Sequence, residues 1–142
     1  MLNKKFFMNL SFKIRKRFDK EIFLDAKDVH GKKFKGYSDK YGERKRSNKF
    51  KNQSSAFSNS TAPVLTGDFR GDVKPHFTKN EGGIRMAAHG SRVNHLAKMD
   101  REVTSDKQVF SKGIIKMIMS DVKGQVKKKM PPTKYKKIIL GK

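Results

Sequence analysis

The first regular pattern in the chain is a set of apolar residues spaced four apart near the N-terminus, with basic residues between them. They are Leu10, Ile14, Phe18 and Ile22. Side chains at this spacing fall on one face of an α-helix. We therefore predict an amphipathic helix over residues 8–27, capped by Asn9, whose apolar face packs on the core. A helix lying on a membrane surface is the alternative that nearby phenylalanines suggest, but we favour the core and expect no membrane partner.

A second pattern, the alternation of apolar and polar residues, begins at Val73. It predicts two short strands, over residues 73–77 and 84–88, joined by a turn at residues 80–83. Pro75 has no amide proton to donate, so the first strand should lie at a sheet edge or at a bulge. The two strands together predict a β-hairpin.

Helical spacing returns in the second half of the chain. Residues 93–97 predict a short helix, and residues 110–126 predict a longer one. The paired prolines at residues 131–132 end it, because proline cannot continue a helix. We therefore assign the hairpin and helices of the core to residues 63–130, and a basic C-terminal tail to residues 131–142.

The stretch PVLTGDFRGDV, residues 63–73, follows a serine- and asparagine-rich tract and predicts a compact structural turn. Thr66 can cap one helical turn there, and Leu65 would then pack against Phe69. We expect Arg70 to contribute little to folding. The Arg-Gly-Asp tripeptide matches a cell-adhesion motif, but three-residue matches arise by chance too readily to assign a function. The predicted turn residues are Leu65, Thr66, Gly67 and Phe69.

Residues 28–62 show no apolar period and combine glycine turns, aromatic residues and basic clusters, which predicts an extended basic loop or arm. Two interpretations stay open. The cations could bind phosphates while the interleaved aromatic rings stack on bases, or the loop could be solvated with its aromatic rings packed on the domain. The candidate contacts to DNA or to an acidic partner are Lys32, Lys33, Lys35, Arg44, Lys45 and Arg46.

The C-terminal end is also basic, because no acidic residue follows Asp121. Such a tail is usually solvated, but the apolar residues 138–140 could add a strand to a sheet edge of this subunit or of a neighbour. The further candidate contacts are Lys127, Lys128, Lys129, Lys134, Lys136 and Lys137.

The charge balance narrows the choice of partners. The chain, predicted to form a single domain over residues 1–142, has 35 Lys and Arg against 13 Asp and Glu, a formal net charge of +22. A compact domain with this charge repels itself, and a ring of several copies would do so more strongly. We therefore expect an anion nearby, which could be nucleic acid, an acidic protein or a membrane surface.

The residue types argue against catalysis. The chain has no cysteine, which excludes a thiolate metal site and a cysteine nucleophile. The histidines lack the spacing of a zinc-binding helix, and the Gly82-Gly83 pair lacks the Lys-Ser/Thr continuation of a phosphate loop. No apolar run is long enough to span a bilayer. We predict a noncatalytic intracellular protein without a metal or a cofactor.

Four segments occur in a defined order. Residues 17–47 form a basic helix followed by an aromatic segment and a basic cluster, residues 64–70 read VLTGDFR, residues 90–97 read GSRVNHLA, and residues 110–113 open the last predicted helix. In this order they resemble the virion morphogenesis or tail-completion family of tailed bacteriophages, which has a leucine-threonine-glycine turn and a later glycine-arginine-valine stretch. The chain departs from the family over residues 100–109, where a histidine-glutamine pair and a proline-arginine-proline element are usual.

The resemblance implies an α+β fold, with a small antiparallel β-sheet flanked by an N-terminal and a long C-terminal helix. It also implies a noncatalytic structural protein of the virion, located at the head–tail junction after assembly in the host cytoplasm. There it would form a homo-oligomeric ring in the neck, tail-completion or tail-terminator layer. Its partners would be other neck, portal-adaptor or tail proteins, with packaged DNA as a further candidate. The alternative function is that of a free basic nucleic-acid-binding protein.

Overall fold

The computed structural model describes residues 2–64, 67–86, 90–99, 101–105 and 107–129. Its first helix, α1, spans Lys4–Phe18. Asn3 caps this helix, since its side-chain oxygen accepts a hydrogen bond of 2.9 Å from the amide of Phe6. The predicted cap, Asn9, is wrong. It lies inside the helix, where the backbone amides already have helical partners, whereas the free amides of the first turn need an acceptor just before Lys4.

A π-helical turn, Asp19–Leu24, continues α1 and keeps the predicted apolar stripe on the core. Each residue of the stripe is at most 5% exposed, which confirms the amphipathic prediction. Ala26 then adopts the left-handed conformation, with a φ of 52°. An α-helix cannot continue through that conformation, so the helical segment ends before the predicted limit at residue 27.

The predicted hairpin is confirmed as strands β1, Val73–Phe77, and β2, Gly82–Met86, which pair antiparallel. Among the described residues the sheet has two strands, and Pro75 lies opposite Ile84. The connecting turn is tighter than predicted, because the amide of Thr78 donates to the carbonyl of Glu81 and both Gly82 and Gly83 belong to β2. The predicted end of the second strand, residues 87–88, lies outside the described residues.

Helix α1 packs across this hairpin at very short range. A Cβ atom placed on Gly82 would lie 2.7 Å from the carbonyl oxygen of Phe7, so only glycine allows the strand and the helix to approach this closely. The Arg15 side chain donates from α1 to the carbonyl oxygens of Val73 and Arg70. Backbone contact and side-chain hydrogen bonds together fix the hairpin on the helix.

Three further helices complete the core. Helix α3 spans Asp68–Asp72, and its N-cap is Gly67, at a φ of 93°. The predicted cap at Thr66 is therefore wrong in position, and Leu65 and Thr66 lie outside the described residues. Helix α4, Gly90–Lys98, and the long helix α5, Lys112–Lys129, confirm the helices predicted in the second half.

The segment from residue 28 to residue 62 is more ordered than the predicted loop or arm. It contains helix α2, Asp39–Arg46, and a 3-10 turn, Ser55–Phe57. Sequence periodicity misses α2 because the helix has little apolar surface: among its residues only Gly42 and Lys45 are buried. Its side chains are held by contacts to distant residues, which a local apolar period does not record.

The resulting fold is α+β, with a small antiparallel sheet, an N-terminal helix and a long C-terminal helix, as predicted. The core joins α1 to the residues of the structural turn and to the loop before α5. Its most deeply buried apolar side chains include Ile14, Phe18, Phe23, Val73, Val103 and Ile114. Within the described part of the chain, no helix combines the length and the apolar character needed to cross a membrane.

Candidate functional site

The first group of basic residues projects from a fixed turn. The Asp28 side chain accepts hydrogen bonds from the amides of His30, at 2.9 Å, and Lys32, at 2.8 Å. Lys32, Lys33 and Lys35 are exposed around this turn, as a surface contact to DNA or protein requires. Phe34 is 5% exposed and belongs to the core, so it cannot stack on a base, and that part of the stacking interpretation is wrong.

The second group lies in the last turn of α2, where the partial negative charge of a helix C-terminus favours cations. Arg44 and Arg46 are exposed, and the guanidinium of Arg44 lies 4.5 Å from the ring centroid of Phe50. Lys45 is different, because only 1% of it is exposed. The prediction that Lys45 contacts DNA or an acidic partner is therefore wrong for this conformation: its ammonium group points into the protein.

The aromatic residues near α2 pack on one another. The ring centroids of Tyr37 and Tyr41 are 4.7 Å apart, and those of Tyr41 and Phe50 are 5.0 Å apart. Tilted rings at this separation gain dispersion and quadrupole energy. This is the arrangement expected from the second interpretation of residues 28–62, in which the aromatic residues pack on the domain.

Two buried cations share the ring of Tyr37. The Nζ of Lys45 lies 4.7 Å from its centroid, and the guanidinium carbon of Arg101 lies 4.1 Å from it. Lys45 donates to the carbonyl oxygens of Ser60, at 2.7 Å, and Ala62, at 3.2 Å. Neither cation forms an ion pair with a described carboxylate. The aromatic face and the backbone dipoles therefore replace a counter-ion.

This environment changes the titration of both Lys45 and Tyr37. Burial, with a smaller contribution from the charge of Arg101, lowers the pKa of Lys45 to about 8. Burial also raises the pKa of Tyr37, although the hydrogen bond and charge of Arg101 oppose it. The pair of cations is thus held at an electrostatic cost that an anion could reduce.

The structural turn is fixed by one apolar and one ionic contact. Phe69 is 4% exposed, and its ring packs edge-on against Phe23 at 5.6 Å. Arg70 donates two hydrogen bonds of 2.7 Å to the carboxylate of Asp19. The hydrogen bond from Arg70 holds the pKa of Asp19 below its usual value; burial opposes this effect, and Arg15 adds to it. Arg70 is therefore a structural residue, contrary to the expectation from the sequence.

The third basic group is at the end of α5, where Lys127 and Lys128 are exposed and Lys129 is the last helical residue. Lys134, Lys136 and Lys137 lie outside the described residues. Helix α5 meets α1 through an ion pair of 2.7 Å between Lys13 and Asp121.

A separate polar contact joins His30 to the loop before α5. Its Nε2 lies 2.7 Å from a carboxylate oxygen of Glu102, and its Nδ1 lies 3.1 Å from the amide oxygen of Gln108. The hydrogen bond to Glu102 raises the pKa of His30, and the same bond lowers the pKa of Glu102. This pair links two loops that are 72 residues apart in the sequence.

Arg101 is the site residue that sequence analysis misses. It lies in a polar loop without periodicity, and its partners come from distant positions: the ring of Tyr37 and the carbonyl of Lys35, to which it donates at 2.6 Å. No local pattern marks such a residue. The described residues also include no group of three or more histidines and acids placed to hold a metal ion.

Comparisons with protein-family models, with curated proteins and with solved structures gave no match.

Proposed function

We propose that this protein is a noncatalytic structural component of a tailed-bacteriophage virion, located in a ring at the head–tail junction. The observation that carries the proposal is the stretch at residues 64–70, which resembles the turn of the tail-completion family. In the structure, Gly67 caps α3 in the left-handed conformation, Phe69 lies in the core and Arg70 binds Asp19. Gly67, Phe69 and Arg70 thus contribute to the fold, and this structural role supports the proposal of a noncatalytic protein.

The surface charge supports assembly on an anionic partner. Exposed cations occur on α1, around residues 32–35, at the end of α2 and at the end of α5. A closed ring of such subunits would multiply their mutual repulsion, which DNA or an acidic neck, portal-adaptor or tail protein would relieve. We therefore expect the isolated protein to be monomeric or weakly associated at physiological salt, and to form its ring only on a partner surface. A stable ring of the protein alone in analytical ultracentrifugation would contradict this part of the proposal.

Quantitative mass spectrometry of purified particles tests the location. The expected result is a fixed copy number per particle, measured against peptides of the portal and the major capsid protein. Treatment of the particles with nuclease before purification serves as a control, because it removes protein that is only attached to external DNA. Absence of the chain from particles, with abundant chain in the soluble lysate, would overturn the proposal.

A free nucleic-acid-binding protein is the second candidate, and the exposed cations beside the contact between Arg44 and Phe50 favour it. This function predicts soluble complexes whose composition follows the amount of nucleic acid. The particle experiment separates the two candidates, because only the structural component keeps a constant stoichiometry across preparations.

The basic tail provides a further test of partner type. Truncation after residue 130 should leave the melting temperature almost unchanged and reduce incorporation into particles. If the lysines at 134, 136 and 137 contact phosphates, replacing them should flatten the salt dependence of DNA binding by roughly one unit of slope per lost contact. Unchanged DNA binding with reduced capture of a neck protein would identify an acidic protein as the partner. Normal incorporation of the truncated chain would remove the tail from the proposed interface.

A further inference from the structure

A cavity of about 490 Å³ opens between the start of α2, the structural turn and α4. This volume lies within the range of about 300–1,000 Å³ typical of sites for small organic ligands. No Asp or Glu of the described residues lines the cavity, whereas three arginines do. The arginines are Arg70, Arg92 and Arg101, and the aromatic lining residues include Tyr37, Tyr41 and Phe69.

One of these arginines has an unmet hydrogen-bonding group. Arg101 is 4% exposed, and its buried Nε has no hydrogen-bond partner. Its terminal nitrogens donate to the carbonyl oxygens of Lys35, at 2.6 Å, and Met99, at 3.4 Å. A guanidinium has five N–H groups, and a buried donor without an acceptor is costly. The Nε itself is enclosed by protein atoms, so Arg101, which lines the cavity, acts on it through the charge of its guanidinium.

The charge around Arg101 is also uncompensated. Lys45 approaches the same Tyr37 ring, and the proximity of Arg101 contributes to lowering the pKa of Lys45, after the larger effect of burial. Arg70 is different, because Asp19 already neutralises it. Arg92 lines the cavity from α4, is exposed, and forms no ion pair with a described residue. An anion in the cavity would thus meet two arginines that lack a carboxylate partner.

The remaining lining is suited to a planar apolar body. Tyr41 contributes an aromatic ring, and Leu96 and Met99 contribute apolar side chains from α4 and its C-terminal end. Aromatic and guanidinium groups are the usual contacts for nucleobases, which stack on them without sequence preference. A simple inorganic anion would use the arginines and leave these apolar groups without a ligand.

We propose that this cavity binds a nucleotide, with the phosphate at Arg92 and Arg101 and the base against Tyr41 and Met99. The nucleotide could be free or could be one unit of a single strand, because both present the same phosphate and base. This inference does not depend on the place of the protein in a particle. It concerns a site in the isolated chain, and its test uses that chain alone.

Isothermal titration calorimetry of the full chain at physiological salt provides the test, with adenosine 5′-monophosphate, adenosine and inorganic phosphate as probes. The nucleotide should bind more tightly than either of its parts. Arg92→Gln should raise the dissociation constant of the nucleotide about tenfold, the effect of one lost charge-assisted hydrogen bond. Tyr41→Leu should weaken binding of the nucleotide and leave binding of phosphate unchanged.

Arg85→Gln is the matched control, because it removes the same charge from an exposed position of β2 that does not line the cavity. It should leave nucleotide binding unchanged. The proposal would be overturned if Arg92→Gln and Arg85→Gln weakened nucleotide binding equally, or if phosphate and nucleotide bound with equal affinity. Either result would indicate nonspecific anion binding. Arg101→Gln serves as a second site variant once circular dichroism shows that it is folded. A short oligodeoxyadenylate that binds more tightly than the mononucleotide identifies the single strand as the source.

Discussion

Arg70 binds Asp19 through two parallel hydrogen bonds of 2.7 Å, which tie the structural turn to the end of α1. The two residues are 51 positions apart in the sequence. The guanidinium also lies 5.3 Å from the ring centroid of Phe57, so the same side chain contacts the segment before the turn. One arginine therefore connects three parts of the chain.

Replacing Arg70 by alanine should destabilise the protein by about 1–3 kcal/mol, because a partly buried carboxylate loses two hydrogen bonds and keeps only its ion pair with Arg15. Arg70→Lys should recover only part of this loss, since an ammonium group cannot make the two parallel bonds. Urea unfolding measures both variants, with Arg85→Ala as the control for charge. Equal midpoints for Arg70→Ala and Arg85→Ala would show that the pair contributes nothing to stability.

Gly82→Ala should destabilise the protein by about 1–3 kcal/mol, the usual range for overpacking. The added Cβ would lie 2.7 Å from the carbonyl oxygen of Phe7, which is backbone and cannot rotate away. Gly83 provides the control at the next position of β2, because a Cβ there meets no atom within 4 Å. Thermal melts should show a clear loss for Gly82→Ala and a small change for Gly83→Ala. The same melting temperature for both would contradict the close packing of α1 on β2.

Lys45 should make the stability of the protein rise with pH in the alkaline range. Its pKa is about 8 in the folded chain and 10.5 as an ordinary lysine, so above pH 8 the folded state has released a proton that the unfolded state still binds. Stability increases with pH wherever the unfolded state binds more protons. Between pH 8 and pH 9.5, the unfolding free energy of the protein should therefore rise relative to that of Lys45→Met. Parallel curves would show that Lys45 titrates normally.

The pairing of His30 with Glu102 should stabilise the fold at mildly acidic pH, where the imidazole is charged and the Glu102 carboxylate is still ionised. Because the contact raises the pKa of His30, its contribution is fully present below about pH 6.5 and is lost as the pH rises through the higher folded value. Glu102→Gln should move the pKa of His30 down, measured by NMR titration of its ring protons. It should also reduce the loss of stability between pH 6 and pH 8. Glu43→Gln, at an exposed site on α2, is the control.

The apolar stripe of α1 and the alternation in the hairpin were predictable from the sequence, because both are local. Leu10 and Ile14 are neighbours on any α-helix, and Val73 and Pro75 lie on one face of any strand. Burial of that stripe follows because water excludes a continuous apolar face. The helical spacing of apolar residues in α5 is also a local pattern. Elements with such a pattern can be predicted because neighbouring residues define their conformation.

The helix ends and the buried cations depend on contacts that the sequence does not display. Asn3 and Asn9 are equally good caps by residue type. The choice falls on Asn3 because the turn that contains Phe7 packs on Gly82 of the hairpin, so the helix must begin before Phe7. Helix α2 has almost no apolar face, so it forms where Lys45 can reach the carbonyls of Ser60 and Ala62 and the ring of Tyr37.

The sequence by itself determined the basic character of the protein, its α+β class and the apolar faces that pack together, because charge and local periodicity are properties of neighbouring residues. Only the tertiary structure decided which cations are available to a partner. Lys45 and Lys33 are both lysines in a basic segment, yet one is buried and the other is exposed. Arg101 becomes part of a cavity only when its loop meets Tyr37 from 64 residues earlier in the chain (101 − 37). Solvation and long-range packing set these outcomes, and neither is encoded within a short window of sequence.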